Sequence, residues 1–247
     1  MAENFTEISP AILYWGTPVC LITTTNPDGS HNIGPIPSIF WLSHSCMIGL
    51  DASSQTTGNI QRNGHCTLNL PSDDMKHAVN AIARTTGSSP VPDSKQVRGY
   101  THVKDKFRCA NVTPLPSLKI ASPGITECPV VMEAELVNTH KMFKGLPIFG
   151  GILVFELRIV NVRIHRGLKL DGYQNRVDAE KWKPMIMMFS ELYGLREGKL
   201  VESKLAKIEE ECTGHLPDLR LKANTYKRTH FKSGNDLDAL NFLLVRL

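Results

Sequence analysis

Between Pro18 and Pro71 this chain sets hydroxyl and amide side chains where a β framework ordinarily wants apolar bulk. Asn32, Ser38, Thr56, Thr57 and Asn59 all fall in that interval, interleaved with Gly34, Pro35, Pro37 and Gly58. Donors of this kind offset the desolvation of phosphate oxygens, so the pattern suits a phosphate-bearing ligand laid along a sheet edge. Several other chemistries are set aside. There is no phosphate-binding loop ending in Gly-Lys-Ser or Gly-Lys-Thr, no Gly-x-Gly-x-x-Gly after a strand and no His-Glu-x-x-His. The nine histidines are dispersed, and the six cysteines lack the short paired spacings of a zinc site or a dithiol motif. The cysteines read as reduced, buried small hydrophobes, and no metal site is expected.

These residues need a scaffold, and the sequence supplies one. Residues 19–25 are aliphatic and β-branched and end at Asn26-Pro27-Asp28-Gly29, which predicts a hairpin. The returning stretch carries Pro35 and Pro37, which donate nothing to a ladder, so it is expected to be an edge or irregular strand, and an exposed edge is a place to bind something. Strands are predicted at 46–50 and 66–70. Between them, hydroxyl and amide residues cap a short helix stopping at Gly64, whose uncapped amides would attract anions. Ser72 and Asp73 offer caps for a helix to about Arg84, and residues 85–98, rich in Ser, Pro and Gly, read as a mobile loop. A short helical piece follows Asp105. Residues 130–137 alternate as a strand with Glu133 and Glu135 on one face. Residues 148–165 form a long β-branched run, bent near Gly150-Gly151. From Asp178 the pattern turns helical, most clearly over 200–212. The sum is a mainly β, α+β chain with short helices: an antiparallel β-barrel rather than a doubly wound sheet.

Whole-chain quantities bound the function. At 247 residues and 41% hydrophobic, the chain buries a sizeable core as one β-rich domain with extensions. The net charge of +4 is scattered, densest at 222–228, and aromatics are not interleaved with Lys or Arg, so no nucleic-acid partner is expected. The first residues lack a basic flank and apolar core, and no apolar run approaches the ~20 residues that span a bilayer. A cytoplasmic protein with no membrane association is expected.

At this point the residues resemble a family. Pro18, the following apolar residues, Thr24-Thr25 and Asp28-Gly29 are similar to the first strand and turn of the flavin reductase-like proteins, including flavoredoxins. Asn32, Pro35 or Pro37, Ser38 and Phe40 resemble the family's next segment. Residues 54–60, ending Thr56-Thr57-Gly58-Asn59-Ile60, align with its Lys-Asp-Thr-x-x-Asn-Ile, and Asn69, Asp105-Lys106-Phe107, Glu127-Cys128-Pro129 and Trp182-Lys183-Pro184-Met185 match further landmarks. The similarity covers about residues 10 to 205.

The resemblance implies an FMN-binding split barrel with Greek-key antiparallel strands, spanning residues 1–215, with 216–247 a C-terminal extension serving as arm, lid or disordered tail. It implies a homodimer binding FMN (FAD less often) and an oxidoreductase activity in which NADH or NADPH reduces the flavin. Electrons then pass to free flavin, to an oxygenase partner or to a small organic substrate. Carried over by position, Asn32 and Ser38 would contact the isoalloxazine, with Phe40 packing nearby. Thr56, Thr57 and Asn59 would hydrogen-bond the phosphate or ribityl chain, with Lys106 as a cation for it. No catalytic residue is named, although His140 and His165 lie near the later strands. Ser54 and Gln55 depart from the family's Lys and Asp and remove a cation, for which Arg62, Lys104 or Lys106 would have to substitute. Taken alone, Thr56 and Asn59 are helix caps, and the alternative is a redox-inactive flavin-binding or dimeric interaction module on the same barrel.

Overall fold

The computed structural model describes residues 5–142, 151–195 and 199–200. The expected domain boundary near residue 215, the tail beyond it, the helical reading of 201–212 and the start of the 148–165 run lie outside these residues. The chain enters through β1 (Trp15–Pro18) and passes directly into β2 (Cys20–Thr25), the β-branched run. The predicted reversal follows, with Gly29 at φ +81° and its amide on the Asn26 carbonyl at 3.1 Å, a backbone conformation that favours glycine. Next come β3 (His31–Ile36), β4 (Ile39–Leu42) and β5 (Ser45–Asp51). Helix α1 (Gln55–Asn63) ends at Gly64 with φ +71°, as its sequence predicts, and leads into β6 (His65–Leu70). Helix α2 (Lys76–Ile82), the two-residue strand β7 (Thr85–Thr86), α3 (Asp93–Gln96), β8 (Thr101–His102) and α4 (Lys106–Ala110) form a connecting segment. Short β9 (Pro114–Leu115) and β10 (Gly124–Ile125) precede the long pair β11 (Val130–Lys141) and β12 (Ile152–Ile164), and then β13 (Met185–Met188) and β14 (Glu191–Gly194).

Seven strands form one antiparallel sheet in the order β3-β2-β6-β11-β12-β5-β4. Its two edges, β3 and β4, are consecutive in the chain and separated only by Pro37 and Ser38. So short a link reaches about 10 Å at most, so the sheet must curl until its edges meet. No ladder joins β3 to β4 among the described residues. The result is a barrel left split along one seam, the mainly β, antiparallel architecture expected.

Both faces of the sheet are covered. Inside the barrel, Ile22, Ile48, Leu68, Phe155 and Leu157 are fully buried with Cys20, Cys46 and Cys66, each large side chain contributing about 1.5–3 kcal/mol. Outside it, Val19, Leu21 and Ile33 pack against Val79 and Ile82 of α2, Phe107 of α4 and Met185 of β13. The cysteines Cys20, Cys46, Cys66 and Cys128 are free and buried, as their apolar context predicts, whereas Cys109, on the short helix α4, is free but exposed.

Two sequence expectations are corrected. Residues 85–98 are not a featureless loop: β7 pairs in parallel with β8, and Thr86 and Lys95 are buried. The described residues after Asp178 form the hairpin β13–β14, which pairs with β1, rather than a helix. Phe189 and Ser190 both take positive φ at its tip, a reversal that their residue types do not signal. Glu133 and Glu135 do share a face, the outer one, as predicted, because β11 runs in unbroken register along β6. The bulge opposite Glu133 belongs to β12, where Val160 is the extra residue; Glu133 itself is fully buried and accepts hydrogen bonds from the amides of Leu118 and Lys119 and from Asn161.

Candidate functional site

A cavity of about 1090 Å³ opens beside the split, at the upper end of the range of small-molecule sites. One wall is the β3 edge and its link to β4, carrying Asn32, Gly34 and Ser38. A second is the start of α1, with Ser54, Gln55 and Thr56. A third is the segment from α2 to α4, with Gly87, Lys95, Arg98 and Lys106. The proline-bearing strand thus presents its edge to a concave surface.

Each wall is fixed by its sequence. Ser54 caps α1, its Oγ accepting from the Thr57 amide at 3.1 Å. The amides of Gln55 and Thr56, one residue further out, have no intrahelical carbonyl to meet. Asn32, 2% exposed, donates from Nδ2 to Thr56 Oγ1 at 3.0 Å and so ties β3 to α1. That approach requires Gly34, because a Cβ there would stand 2.5 Å from Thr56 Oγ1. Asn32 Oδ1 is buried with no partner, and a Cβ on Gly87 would lie 2.6 Å from it. Ser38 Oγ lies 3.2 Å from Tyr14 Oη, and its carbonyl accepts from the Gly49 amide at 2.9 Å.

The third wall is cationic. Lys106, 3% exposed, donates from Nζ to the Ile33 carbonyl at 2.8 Å. Burial, reinforced by Lys95, brings its amine down to about 7. Lys95 is 8% exposed, and burial lowers its amine too, with Asp51 pulling the other way and Arg98 adding to the depression. Arg98 Nη2 pairs with Asp51 Oδ2 at 3.2 Å. Burial raises the Asp51 carboxyl, but the Ser53 hydroxyl and amide, Lys95 and Arg98 outweigh it and hold the group below its ordinary value. The Tyr100 ring lies 5.8 Å from Lys95 Nζ and 5.5 Å from Arg98 Cζ.

Of the residues singled out from the sequence, the structure brings Asn32, Ser38, Thr56 and Lys106 together on the cavity wall. Thr57, Asn59 and Phe40 are not part of that lining. Thr57 Oγ1 donates to the Asp51 carbonyl at 2.8 Å. Asn59 is fully buried, donating to Thr24 Oγ1 at 2.9 Å and Asn26 Oδ1 at 2.8 Å, and it locks α1 to β2. Phe40 is 55% exposed on the outer face of β4. Arg62 is held by Asn59 Oδ1 at 2.9 Å and Lys104 lies 3.5 Å from Asp28, so neither supplies the cavity with charge. His140 faces Glu156 at 3.7 Å and His165 lies 3.0 Å from the Thr126 carbonyl, both away from the cavity. Lys95, Arg98 and Tyr100 are the residues that sequence reasoning missed. Among the described residues no three His, Cys, Asp or Glu side chains are grouped to hold a metal, and no helix is long and apolar enough to cross a membrane.

Comparison with known proteins agrees with this fold. The structure superposes on the flavoredoxin of Desulfovibrio vulgaris (Miyazaki F) over 82% of this chain and 98% of that one, with a TM-score of 0.65 at 19% identity. Nitrilotriacetate monooxygenase component B from Bacillus cereus superposes over 81% of this chain and all of its own (100%), with a TM-score of 0.62 at 17% identity. In sequence, the uncharacterized protein YdfE of Bacillus subtilis (strain 168) is 32% identical over 194 residues, which is 78% of this chain and 90% of that protein. Residues 14–191, from the tyrosine that meets Ser38 to the first residue of β14, match the family described as flavin reductase like domain. With the split barrel, the seam-side cavity and that match spanning most of its length, the chain belongs to the flavin reductase like domain family.

Proposed function

We propose that this protein is a flavin-dependent oxidoreductase that holds FMN in the seam-side cavity, is reduced by NADH or NADPH, and passes electrons to free flavin, an oxygenase partner or a small organic acceptor. The observation that carries the reading is one cavity that joins a β-edge of amide and hydroxyl groups to a cationic wall. Such a site suits a ligand with a polar ring at one end and an anion at the other. When bound, flavin supplies two-electron redox chemistry that no side chain of the cavity offers. The chain's own residues fit it. Asn32 offers a buried acceptor that no protein group meets, and because the Thr56 hydroxyl both donates and accepts, the carboxamide is free to present oxygen or nitrogen. Gly34 and Gly87 remove the side-chain bulk that would otherwise displace Thr56 and Asn32. Lys106 and Lys95 favour negative charge. The monooxygenase component among the structural neighbours supports an oxygenase as one destination of the electrons. The exposed Phe40 and Leu42 of β4 support a homodimer formed through that outer face.

The visible spectrum of the purified protein tests the reading, recorded before and after FMN and then under argon with NADH or NADPH. Bands near ~450 nm that co-purify or appear on reconstitution, and that bleach with the nicotinamide, are expected. Flavin held without bleaching would leave a redox-inactive flavin-binding module. No binding at concentrations on the order of tens of micromolar would end the flavin reading altogether.

A further inference from the structure

The start of α1 carries no cation in this chain, because position 54 is the capping serine. A phosphate monoester carries about −1.5 to −2 charges at neutral pH, so its counter-charge must come from elsewhere in the wall. Two independent features converge on Lys95. First, its side chain is 8% exposed and lines the cavity, yet among the described residues its ammonium has no hydrogen bond and no ion pair within 4 Å. The stem is buried while the ammonium opens into the cavity, so an anion entering there meets a positive charge that no described residue pairs. The carboxylate that attracts it, Asp51, is already engaged by Ser53 and by Arg98, and Tyr100 offers only a ring face at 5.8 Å. Second, the segment that carries Lys95 lies on the start of α1. A Cβ on Gly87 would be 3.0 Å from Gln55 Cγ, so the unpaired ammonium and the first-turn amides of α1 line the same cavity.

We infer that Lys95 is the counter-ion of the flavin phosphate monoester, delivered from α3 in place of the cation that Ser54 removes, with Asp51 and Arg98 holding one another beside it. This rests on the flavin reading and names the residue that anchors the ligand's anionic end. It makes the segment between β7 and β8 part of the binding site rather than a connector.

The test compares FMN with riboflavin, which lacks the phosphate, by fluorescence titration of the full chain and its K95M and K95R variants. The wild type is expected to bind FMN more tightly than riboflavin. K95M should weaken FMN about 10- to 100-fold, the range of a charge-assisted hydrogen bond, and leave riboflavin unchanged. K95R should retain most of the FMN affinity. Unchanged riboflavin binding by K95M also shows that its cavity is folded. Equal losses for both ligands, or no loss for FMN, overturn the assignment of Lys95. Equal wild-type affinity for the two ligands overturns any phosphate site here while leaving a flavin site standing. A wild type that binds neither ligand removes the flavin reading itself.

Discussion

At the scale of single residues, the site is partly legible in the sequence and partly hidden, for a definite reason. Asn32, Ser38 and Thr56 stand out because polar groups at strand and helix boundaries are conspicuous against an apolar background. Lys95 does not, because a lysine in a Ser- and Pro-rich stretch looks like any solvated lysine, and only the packing of that stretch onto α1 buries it. Lys106 is legible as a cation but not as a titrating one. Its amine near 7, against ~10.4 in an unfolded chain, has a consequence for stability with a definite sign. Between these values the unfolded chain binds the extra proton and the folded chain does not, so unfolding free energy rises with pH across that window. Below pH 7 both states are protonated and the contribution is flat. Urea denaturation between pH 6 and 9 is expected to show this rise in the wild type. The K106M variant should lose Lys106's part of the slope, and an unchanged slope would mean that the amine titrates normally.

At the scale of elements, β2, β5, β6, β11 and α1 follow from short apolar or β-branched runs and from the serine and glycine that bracket the helix. The β13–β14 hairpin is hidden because Met185–Met188 is an unbroken apolar run that shows no alternation, and its turn at Phe189 and Ser190 carries no Gly, Asn or Pro. Helix α1 shows how one position serves two ends. Ser54 gives up a cation but caps the Thr57 amide, and its Oγ also lies 2.8 Å from Thr57 Oγ1. Ser54→Ala should cost about 1 kcal/mol of stability in chemical denaturation. A loss within a few tenths of zero would show that the Thr57 hydroxyl, already bonded to the Asp51 carbonyl, holds the helix start alone.

At the scale of the whole molecule, the barrel interior and the outer layer are separate apolar cores that share the same strands, so β2 and β6 are covered on both faces and specify the register. The outer face of β4 is not covered, with Phe40 and Leu42 exposed. Light scattering is expected to give twice the 27.5 kDa chain mass, falling to one chain mass when Phe40 and Leu42 are both replaced by Asp. A wild type of single-chain mass would remove the homodimer. The seam bears on a different property, colloidal behaviour. A sheet that ends in two unpaired edges invites strand addition from other copies and, with it, aggregation. Here one edge strand has four residues, and the stretch leading to it carries Pro35 and Pro37, which have no N–H to offer a neighbour. The prolines that bare the edge to a small ligand therefore also spoil it as a template for fibrous assembly.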